Sequence, residues 1–268
     1  MLNFLYGTVT GRAILKVLIR PGVSKAAGKF LSSGASRLFI ASFIKKNGID
    51  MSDYAEGPYA GFNEFFSREI LPGKREVDLS EDHLISPCDC LLTVLKITPG
   101  GRFSIKDTEY SLESLLRDGR LAERFNEGYI FIHRLTVSDY HRYCFAADGV
   151  KEEQVRIPGV LHTVQPISND YYPIYKENSR EYCVIHTEQL GDIVQMEVGA
   201  LLVGKIENPE HGPTVKKGTE KGFFRFGGST IVLLIGKDRI KVRDEILAAS
   251  SDGMETRVKY GEMTAVCI

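Results

Sequence analysis

The sequence lacks the segments by which proteins span membranes or are secreted. No stretch comes near the roughly 20 uninterrupted apolar residues that cross a bilayer. The N-terminus has none of the charged start, apolar middle and small-residue cleavage site of a secretory signal. We therefore expect a protein that is either soluble or attached to the face of a membrane.

Cysteine is scarce, and its number is odd. A chain of 268 residues does not need disulfides to hold a core together, and the spacing of its five cysteines is unlike that of a small disulfide scaffold. We interpret them as reduced thiols in a protein that faces the cytosol. They are Cys88, Cys90, Cys144, Cys183 and Cys267.

Acidic residues are missing from the first 49 positions. The whole chain has a net charge of −1, but subtracting the eight basic residues of this segment from the total of 34 leaves 26 bases against 35 acids, a charge of −9. This asymmetry indicates a basic arm for an anionic surface, either a membrane or a nucleic acid. The eight bases are Arg12, Lys16, Arg20, Lys25, Lys29, Arg37, Lys45 and Lys46.

The pattern of residues 1–20 favours the membrane. At helical spacing the bases of this segment form one stripe, while Ile14, Val17 and Leu18 lie opposite and Leu15 flanks them. Such a helix lies in a lipid interface, although a helix packed on the protein core has a similar pattern. We expect the helix to end at Pro21-Gly22 and the membrane-associating region to extend over residues 1–50.

The remaining residues, 51–268, predict one catalytic domain. A short aromatic helix that ends at Pro72-Gly73 is expected within residues 61–78, and a second helix over Ser111–Asp118, whereas most other patterns are apolar or alternating runs typical of strands. The fold class is therefore α+β, a largely antiparallel β body with amphipathic helices at the N-terminus. The predicted strands are Leu84–Ile97, Tyr129–Thr136, Val160–Val164, Tyr182–Thr187, Ile193–Ile206 and Ile231–Ile235.

The segment FFRFGGSTIVLLI, residues 223–235, joins two strand-like runs through Gly227-Gly228. The simplest interpretation is a Gly-Gly hairpin turn. A second interpretation is chemical, because two glycines let the backbone adopt strained conformations in which the Ser229 hydroxyl reaches the Gly228 carbonyl. The resulting ester could eliminate to leave a pyruvoyl group at position 229, which forms a Schiff base with an amine and withdraws electrons during loss of a carboxylate.

This reaction requires a base that activates the serine and a group that orients the base. Asp89 in ISPCDCLL and His141 in SDYHRY are the candidates. Each has an ordinary alternative, since an Asp after Ser-Pro commonly forms a turn and a His among tyrosines is commonly structural.

Several segments in a fixed order resemble the phosphatidylserine decarboxylases over nearly the whole chain. The combination is specific, whereas GGST alone would not be. The matching segments are FNEFFSREILPGKREVD (62–78), ISPCD (85–89), DYHR (139–142), GVLHTVQPI (159–167), MEVGALLVGKI (196–206) and KGTEKGFFRFGGST (217–230).

The resemblance implies a carboxy-lyase that converts phosphatidylserine to phosphatidylethanolamine and carbon dioxide. It implies that Ser229 becomes the pyruvoyl cofactor, that Asp89 belongs to the charge relay for self-cleavage, and that His141 supports proton transfer. Cleavage between Gly228 and Ser229 would give a β chain, 1–228, and an α chain, 229–268, which together form the active unit. The resemblance also implies peripheral attachment to the cytoplasmic side of the cell membrane.

Two positions depart from the family pattern. Cys144 stands where a second histidine, usually assigned to the charge relay, is common, and Cys90 stands where glycine is common. A thiol with the ordinary pKa of about 8.5 is a poorer base than imidazole at neutral pH. The alternatives are that His141 acts as the base, that Cys144 is a perturbed thiolate, or that cleavage is slow or absent.

The remaining expectations concern ligands and competing functions. Arg142 is a candidate for holding the substrate phosphate, and no nucleic acid is expected. A zinc site of Cys88, Cys90, His141 and Cys144 is disfavoured by its spacing, so no metal is expected.

A serine hydrolase of lipid esters and an uncleaved lipid-binding homologue remain as alternatives, and a homodimer is left open. Four histidines are interpreted as structural, with His162 the one to revisit: His133, His162, His186 and His211.

Overall fold

The computed structural model describes residues 2–18, 21–55, 57–105, 108–160, 162–163, 171–172, 174–200, 206–226 and 229–268. Within these residues, short helices accompany a body made mostly of antiparallel strands, which confirms the predicted mixture of helix and antiparallel sheet. A 3-10 helix, Gly34–Phe39, lies between the third and fourth α-helices. The described helices are α1 (Leu2–Gly7), α2 (Val9–Leu18), α3 (Pro21–Leu31), α4 (Ile40–Asn47), α5 (Phe62–Phe66), α6 (Leu112–Leu116), α7 (Gly119–Glu123), α8 (Ile174–Glu177) and α9 (Asp244–Ser251).

The strands of the described residues begin at His83 and continue to the end of the chain. They are β1 (His83–Ile85), β2 (Cys90–Lys96), β3 (Arg102–Ile105), β4 (Thr108–Ser111), β5 (Tyr129–Leu135), β6 (Arg142–Cys144), β7 (Gly149–Lys151), β8 (Val155–Ile157), β9 (Arg180–His186), β10 (Asp192–Val198), β11 (Ile206–Glu207), β12 (Thr214–Val215), β13 (Glu220–Phe224), β14 (Ser229–Ile235), β15 (Ile240–Val242), β16 (Thr256–Val258) and β17 (Met263–Cys267).

The largest sheet is organised around β14. Its strand order is β12-β7-β9-β10-β14-β5-β2-β16, with β8 also paired to β9. The sequence of β14, STIVLLI, is rich in β-branched and apolar residues, and all seven of its residues are buried. Ile231 and Leu233 face one hydrophobic core while Val232 and Leu234 face another, so this strand is covered on both sides.

The two strand-like runs around Gly227-Gly228 do not form a hairpin. β13 pairs with β6 and β11 in a small sheet, whereas β14 pairs with β10 and β5 in the large one. The hairpin interpretation is therefore wrong. The segment instead passes from one sheet to another, and Gly227 and Gly228 themselves lie outside the described residues.

Several predicted boundaries need correction. The sequence predicts that the first helix ends at Pro21-Gly22, but Pro21 begins a further helix, α3. Proline is tolerated in the first turn of a helix because the backbone N–H has no intrahelical partner there. The aromatic helix predicted within residues 61–78 ends at Phe66 and does not extend to Pro72-Gly73. The strand expected over 84–97 is interrupted at residues 86–89, where the Ser86 hydroxyl donates to the Cys88 carbonyl at 2.8 Å. Parts of the strands expected at 160–164 and 193–206 lie outside the described residues.

The N-terminal helices pack on the body through a few apolar side chains. Leu15, expected only to flank the apolar stripe, is buried with Leu5 and Tyr6, whereas Ile14 from the centre of that stripe is 44% exposed. Further along, α3 and α4 contribute partly buried residues to a cluster around the aromatic rings of α5. None of the described helices is both long and apolar enough to cross a membrane.

Candidate active site

Ser229 is held at the start of the central strand. Its backbone pairs with Leu135 of β5, and its side chain is completely buried. A strand that is bonded on both sides cannot move its first residue far, so the position of the hydroxyl group is set by the sheet.

The His141 side chain faces this hydroxyl. Its Nδ1 atom lies 3.2 Å from Ser229 Oγ, and its Nε2 atom lies 3.0 Å from the Thr136 carbonyl oxygen. A carbonyl only accepts hydrogen bonds, so Nε2 must carry the proton and Nδ1 must present its lone pair. The Ser229 hydroxyl therefore donates to Nδ1, which is the arrangement of a nucleophile and its general base.

The imidazole of His141 is fixed from several directions. The Phe66 ring stacks on it, with 3.9 Å between centroids and an interplanar angle of 29°. The loop before it is closed by Asp139, whose carboxylate accepts from the Thr136 N–H at 2.6 Å and pairs with Arg257 at 2.6 Å. These contacts hold the Thr136 carbonyl in place, and with it the tautomer of His141.

The environment keeps His141 neutral. Burial, and to a smaller extent the positive charge of Arg68, lower its pKa to about 3, although the Thr136 carbonyl acts in the opposite direction. At neutral pH the lone pair on Nδ1 is therefore free to accept the serine proton. The same burial makes the protonated form costly, so the base is available but intrinsically weak.

Asp89 lies apart from this pair. It precedes β2 and binds the Arg75 guanidinium, with 2.5 Å between Oδ2 and Nη2, and it accepts a hydrogen bond from the Tyr260 N–H at 2.8 Å. Among the described contacts of Asp89, none involves His141 or Ser229. The structure thus brings two of the predicted residues together and holds the third in an ion pair, so the charge-relay role of Asp89 stays a prediction.

Cys144 is also separate from the reacting pair. It lies in β6, is completely buried, and interacts with the Tyr260 hydroxyl group. Burial raises the pKa of its thiol to about 12, with the Tyr260 contact opposing the shift only in part. Cys144 is therefore protonated at neutral pH, and its surroundings disfavour the thiolate alternative. The role of His141 as the base stays a prediction.

Arg142 points toward acidic partners. Its Nη1 atom is 2.8 Å from Glu220 and its Nη2 atom 3.2 Å from Glu69, while Nε donates to the Ser67 carbonyl at 2.8 Å. A substrate phosphate would have to compete with both carboxylates. The phosphate-binding role of Arg142 remains a prediction.

The other histidines have local partners. His133 is buried with Nδ1 3.2 Å from the Ile231 carbonyl, His186 bridges two carboxylates, and His211 interacts with the Lys221 carbonyl at 3.0 Å. His162 stacks on Tyr172 and contacts the Tyr6 hydroxyl, which ties α1 to the body. No group of three or more potential metal ligands occurs in the part of the chain that the structure describes.

Sequence reasoning missed four residues that shape the site. Phe66, Arg68 and Arg75 lie within the matching segment 62–78, so the segment was found but their roles were not. Tyr260 lies in none of the quoted segments, and only the folded chain shows that it contacts both Asp89 and Cys144.

The chain is similar to known proteins of one family. The family model described as "Phosphatidylserine decarboxylase" matches residues 62–266. The chain belongs to the phosphatidylserine decarboxylase family. It is 47% identical to phosphatidylserine decarboxylase proenzyme 2 of Clostridium acetobutylicum over 263 residues, covering 97% of this chain and 90% of that protein.

Two more relatives carry the name phosphatidylserine decarboxylase proenzyme. The one from Ruminiclostridium cellulolyticum is 38% identical, covering 100% of this chain and 91% of the relative. The one from Fusobacterium nucleatum is 36% identical, covering 97% and 89%. Similarity over nearly the full length of each protein makes this chain an enzyme of the decarboxylase class, a lyase, and the word proenzyme is consistent with maturation by cleavage.

Proposed function

We propose that the chain cleaves itself between Gly228 and Ser229 and then decarboxylates phosphatidylserine to phosphatidylethanolamine. One observation carries the proposal: a serine with no exposed surface has its hydroxyl 3.2 Å from the lone pair of a neutral histidine. A nucleophile that no outside molecule can reach acts on its own chain. The peptide bond that precedes it is the available target.

The steps of cleavage follow from this arrangement. His141 takes the hydroxyl proton of Ser229 as Oγ attacks the Gly228 carbonyl carbon, and the proton returns to the nitrogen of residue 229 as the peptide bond breaks, leaving an ester. Loss of the α-proton and rupture of the Cβ–Oγ bond then release the Gly228 carboxylate. The remaining dehydroalanine tautomerises, and water replaces its nitrogen as ammonia to give the pyruvoyl cap.

The residues present fit this cofactor because Ser229 supplies its atoms and β14 holds them in a dry position. When formed, the group supplies an electron-withdrawing carbonyl to a bound amine. His141 and Phe66 remain beside residue 229. Nδ1 of His141 can therefore hold or deliver a proton there, while the ring of Phe66 excludes water.

The serine hydrolase alternative has less support. A hydrolase triad needs Asp89 on the second nitrogen of His141, but that nitrogen donates to the Thr136 carbonyl, and Asp89 binds Arg75. Ser229 also has no exposed surface in the uncleaved chain. Cleavage of the purified wild-type chain at Gly228-Ser229 would exclude the uncleaved lipid-binding alternative.

We further propose that the N-terminal helices attach the enzyme to anionic membranes on the cytoplasmic side. Large apolar side chains of this region stand in solvent: Phe4 is 48%, Phe30 50%, Leu38 85% and Phe39 53% exposed. The region has eight bases and no acid before Asp50. Apolar exposure next to positive charge suits a surface of acyl chains and phosphates.

Denaturing mass spectrometry of the purified protein tests the proposal. The wild type should give fragments 1–228 and 229–268, the second lighter by one ammonia than a chain that begins with serine. The Ser229→Ala variant should remain whole and inactive. A wild-type chain that stays whole yet releases carbon dioxide from phosphatidylserine would contradict the mechanism, and clipping of the Ser229→Ala variant at the same bond would implicate a contaminating protease.

A further inference from the structure

Arg68 is a buried cation without an anionic partner among the described residues. It follows α5 and is 2% exposed, with its guanidinium carbon 4.0 Å from the centroid of the Tyr54 ring and 5.0 Å from that of Phe65. The structure gives it no carboxylate within ion-pair distance in the described part of the chain. A buried charge in such surroundings is costly unless something compensates it.

The hydrogen bonds of Arg68 are few and long. Nη1 reaches the Phe65 carbonyl at 3.4 Å and Nη2 reaches the Ser138 carbonyl at 3.5 Å, whereas Nε has no partner among the described atoms. The Tyr54 side chain, which also interacts with the guanidinium, is neutral. Much of the donor capacity of this side chain is therefore unused.

Arg180 shows that the fold can satisfy a buried arginine when the residue is structural. It is also completely buried, and four backbone carbonyls accept from it at 2.7 to 3.0 Å. Neither side chain has an acidic partner among the described residues, but of the two only Arg68 has a guanidinium nitrogen, Nε, without any hydrogen-bond partner there. This difference indicates that Arg68 awaits a ligand.

The guanidinium of Arg68 lies beside the reacting pair. Ser138, which it contacts, belongs to the loop that carries His141, and Phe66, two residues before it, stacks on His141. The ring of Phe226 covers Phe66 with 5.0 Å between centroids. Phe226 is two residues before Gly228, so the proposed cleavage would place it near a new chain end and release its backbone on that side.

We propose that Arg68 binds the phosphodiester group of the substrate head group in the cleaved enzyme. The inference rests on the proposed function. The substrate has two anionic groups, and only the phosphodiester persists through the reaction. A cation on the carboxylate would stabilise the group that must leave as neutral carbon dioxide, and so would hold back the reaction, whereas a cation on the phosphate binds the starting and final states alike. A planar guanidinium suits two phosphate oxygens.

The test separates the two anions with soluble probes. Glycerophosphoethanolamine has the phosphodiester without the carboxylate, and L-serine has the carboxylate without the phosphate. Inhibition of the wild-type enzyme and of the Arg68→Met and Arg68→Lys variants is measured with each probe, next to KM and kcat for phosphatidylserine in mixed micelles. Arg180→Met and the surface variant Arg243→Met serve as controls, and cleavage of every variant is checked by mass spectrometry.

We expect Arg68→Met to be cleaved, to raise KM, and to weaken inhibition by glycerophosphoethanolamine at least about tenfold, the order of a lost charged hydrogen bond. Arg68→Lys should restore part of the inhibition. The controls should keep the wild-type inhibition constant in their folded fraction. Unchanged inhibition by glycerophosphoethanolamine in a cleaved, folded Arg68→Met enzyme, or a loss confined to L-serine, would overturn the inference while leaving the proposed function intact. An uncleaved wild type would instead remove the proposed function itself.

Discussion

The rate of self-cleavage should hardly change between about pH 8 and about pH 5. An ordinary histidine, with a pKa of about 6.5, would lose most of its basic form in this interval, and cleavage at pH 5 would be about 30-fold slower than at pH 8. Burial lowers the pKa of His141 to about 3. The difference is about 3.5 pH units, or about 5 kcal/mol at 1.36 kcal/mol per unit, so the base stays neutral over the whole range.

The assay requires uncleaved precursor. A short cell-free synthesis, followed by a chase at each pH and quenching in denaturant, lets the two fragments be quantified by mass spectrometry. Circular dichroism of the Ser229→Ala protein at the same pH values checks that the fold persists. His141→Gln should slow cleavage by about 10²- to 10⁴-fold, the usual contribution of a general base.

The Phe66→Ala variant tests whether burial is what lowers the pKa of His141. Removing the ring stacked on His141 lets water approach the imidazole, so its pKa should rise toward 6.5 and the cleavage rate should now fall at acidic pH. A wild-type rate that already declines with a midpoint near 6.5 would refute the buried-base argument. It would mean that His141 is hydrated or that another group accepts the serine proton.

Four further outcomes are expected. Cys144→Ala should still cleave, because a thiol with a raised pKa is not the base; fragment analysis that finds only whole chain would show otherwise. Asp89→Asn should lower the free energy of unfolding by about 3 kcal/mol at most, since Arg75 loses a buried partner but keeps Asp53; denaturant titration in the Ser229→Ala background measures it. Burial lowers the pKa of His133 to about 3, so as the pH falls from about 6.5 the unfolded chain takes up a proton at this histidine before the folded chain does, and the free energy of unfolding decreases. In denaturant titrations this decrease should be smaller for His133→Leu than for the wild type, by up to about 1.4 kcal/mol per pH unit. Leu38→Asp should weaken cosedimentation with phosphatidylglycerol vesicles, and equal binding by the variant would argue against a lipid-facing helix.

The pairing of Ser229 with His141 could be predicted because both residues lie in short segments of specific composition. A hydroxyl after two glycines and a histidine after Asp-Tyr are visible without a fold. The burial of His141 could not be predicted in the same way, since it depends on Phe66, which lies 75 positions earlier by residue number. Its low basicity is therefore a property of tertiary packing.

The surroundings of Asp89 show a similar limit. The sequence shows the residue type of Asp89 and its position before a strand. It does not show its partners Arg75 and Tyr260, which lie 14 and 171 positions away along the chain. The pattern of the N-terminal helix predicted an apolar face, yet a helical wheel cannot say whether Leu15 or Ile14 meets the protein. Contacts between residues far apart in the sequence decide both cases, and local periodicity carries no information about such contacts.

The position of the proposed cleavage site would keep the two fragments together. β14 would belong to the α chain, 229–268, whereas its neighbours β5 and β10 would belong to the β chain, 1–228. β16 and β17 of the α chain likewise pair with β2 and β1 of the β chain. Breaking one peptide bond at the edge of β14 leaves these ladders and the buried apolar faces in place, so the fragments separate only when the sheet unfolds. Because the bond lies where the chain passes from one sheet to another, cleavage there would let the new ends part while residue 229 stays beside His141.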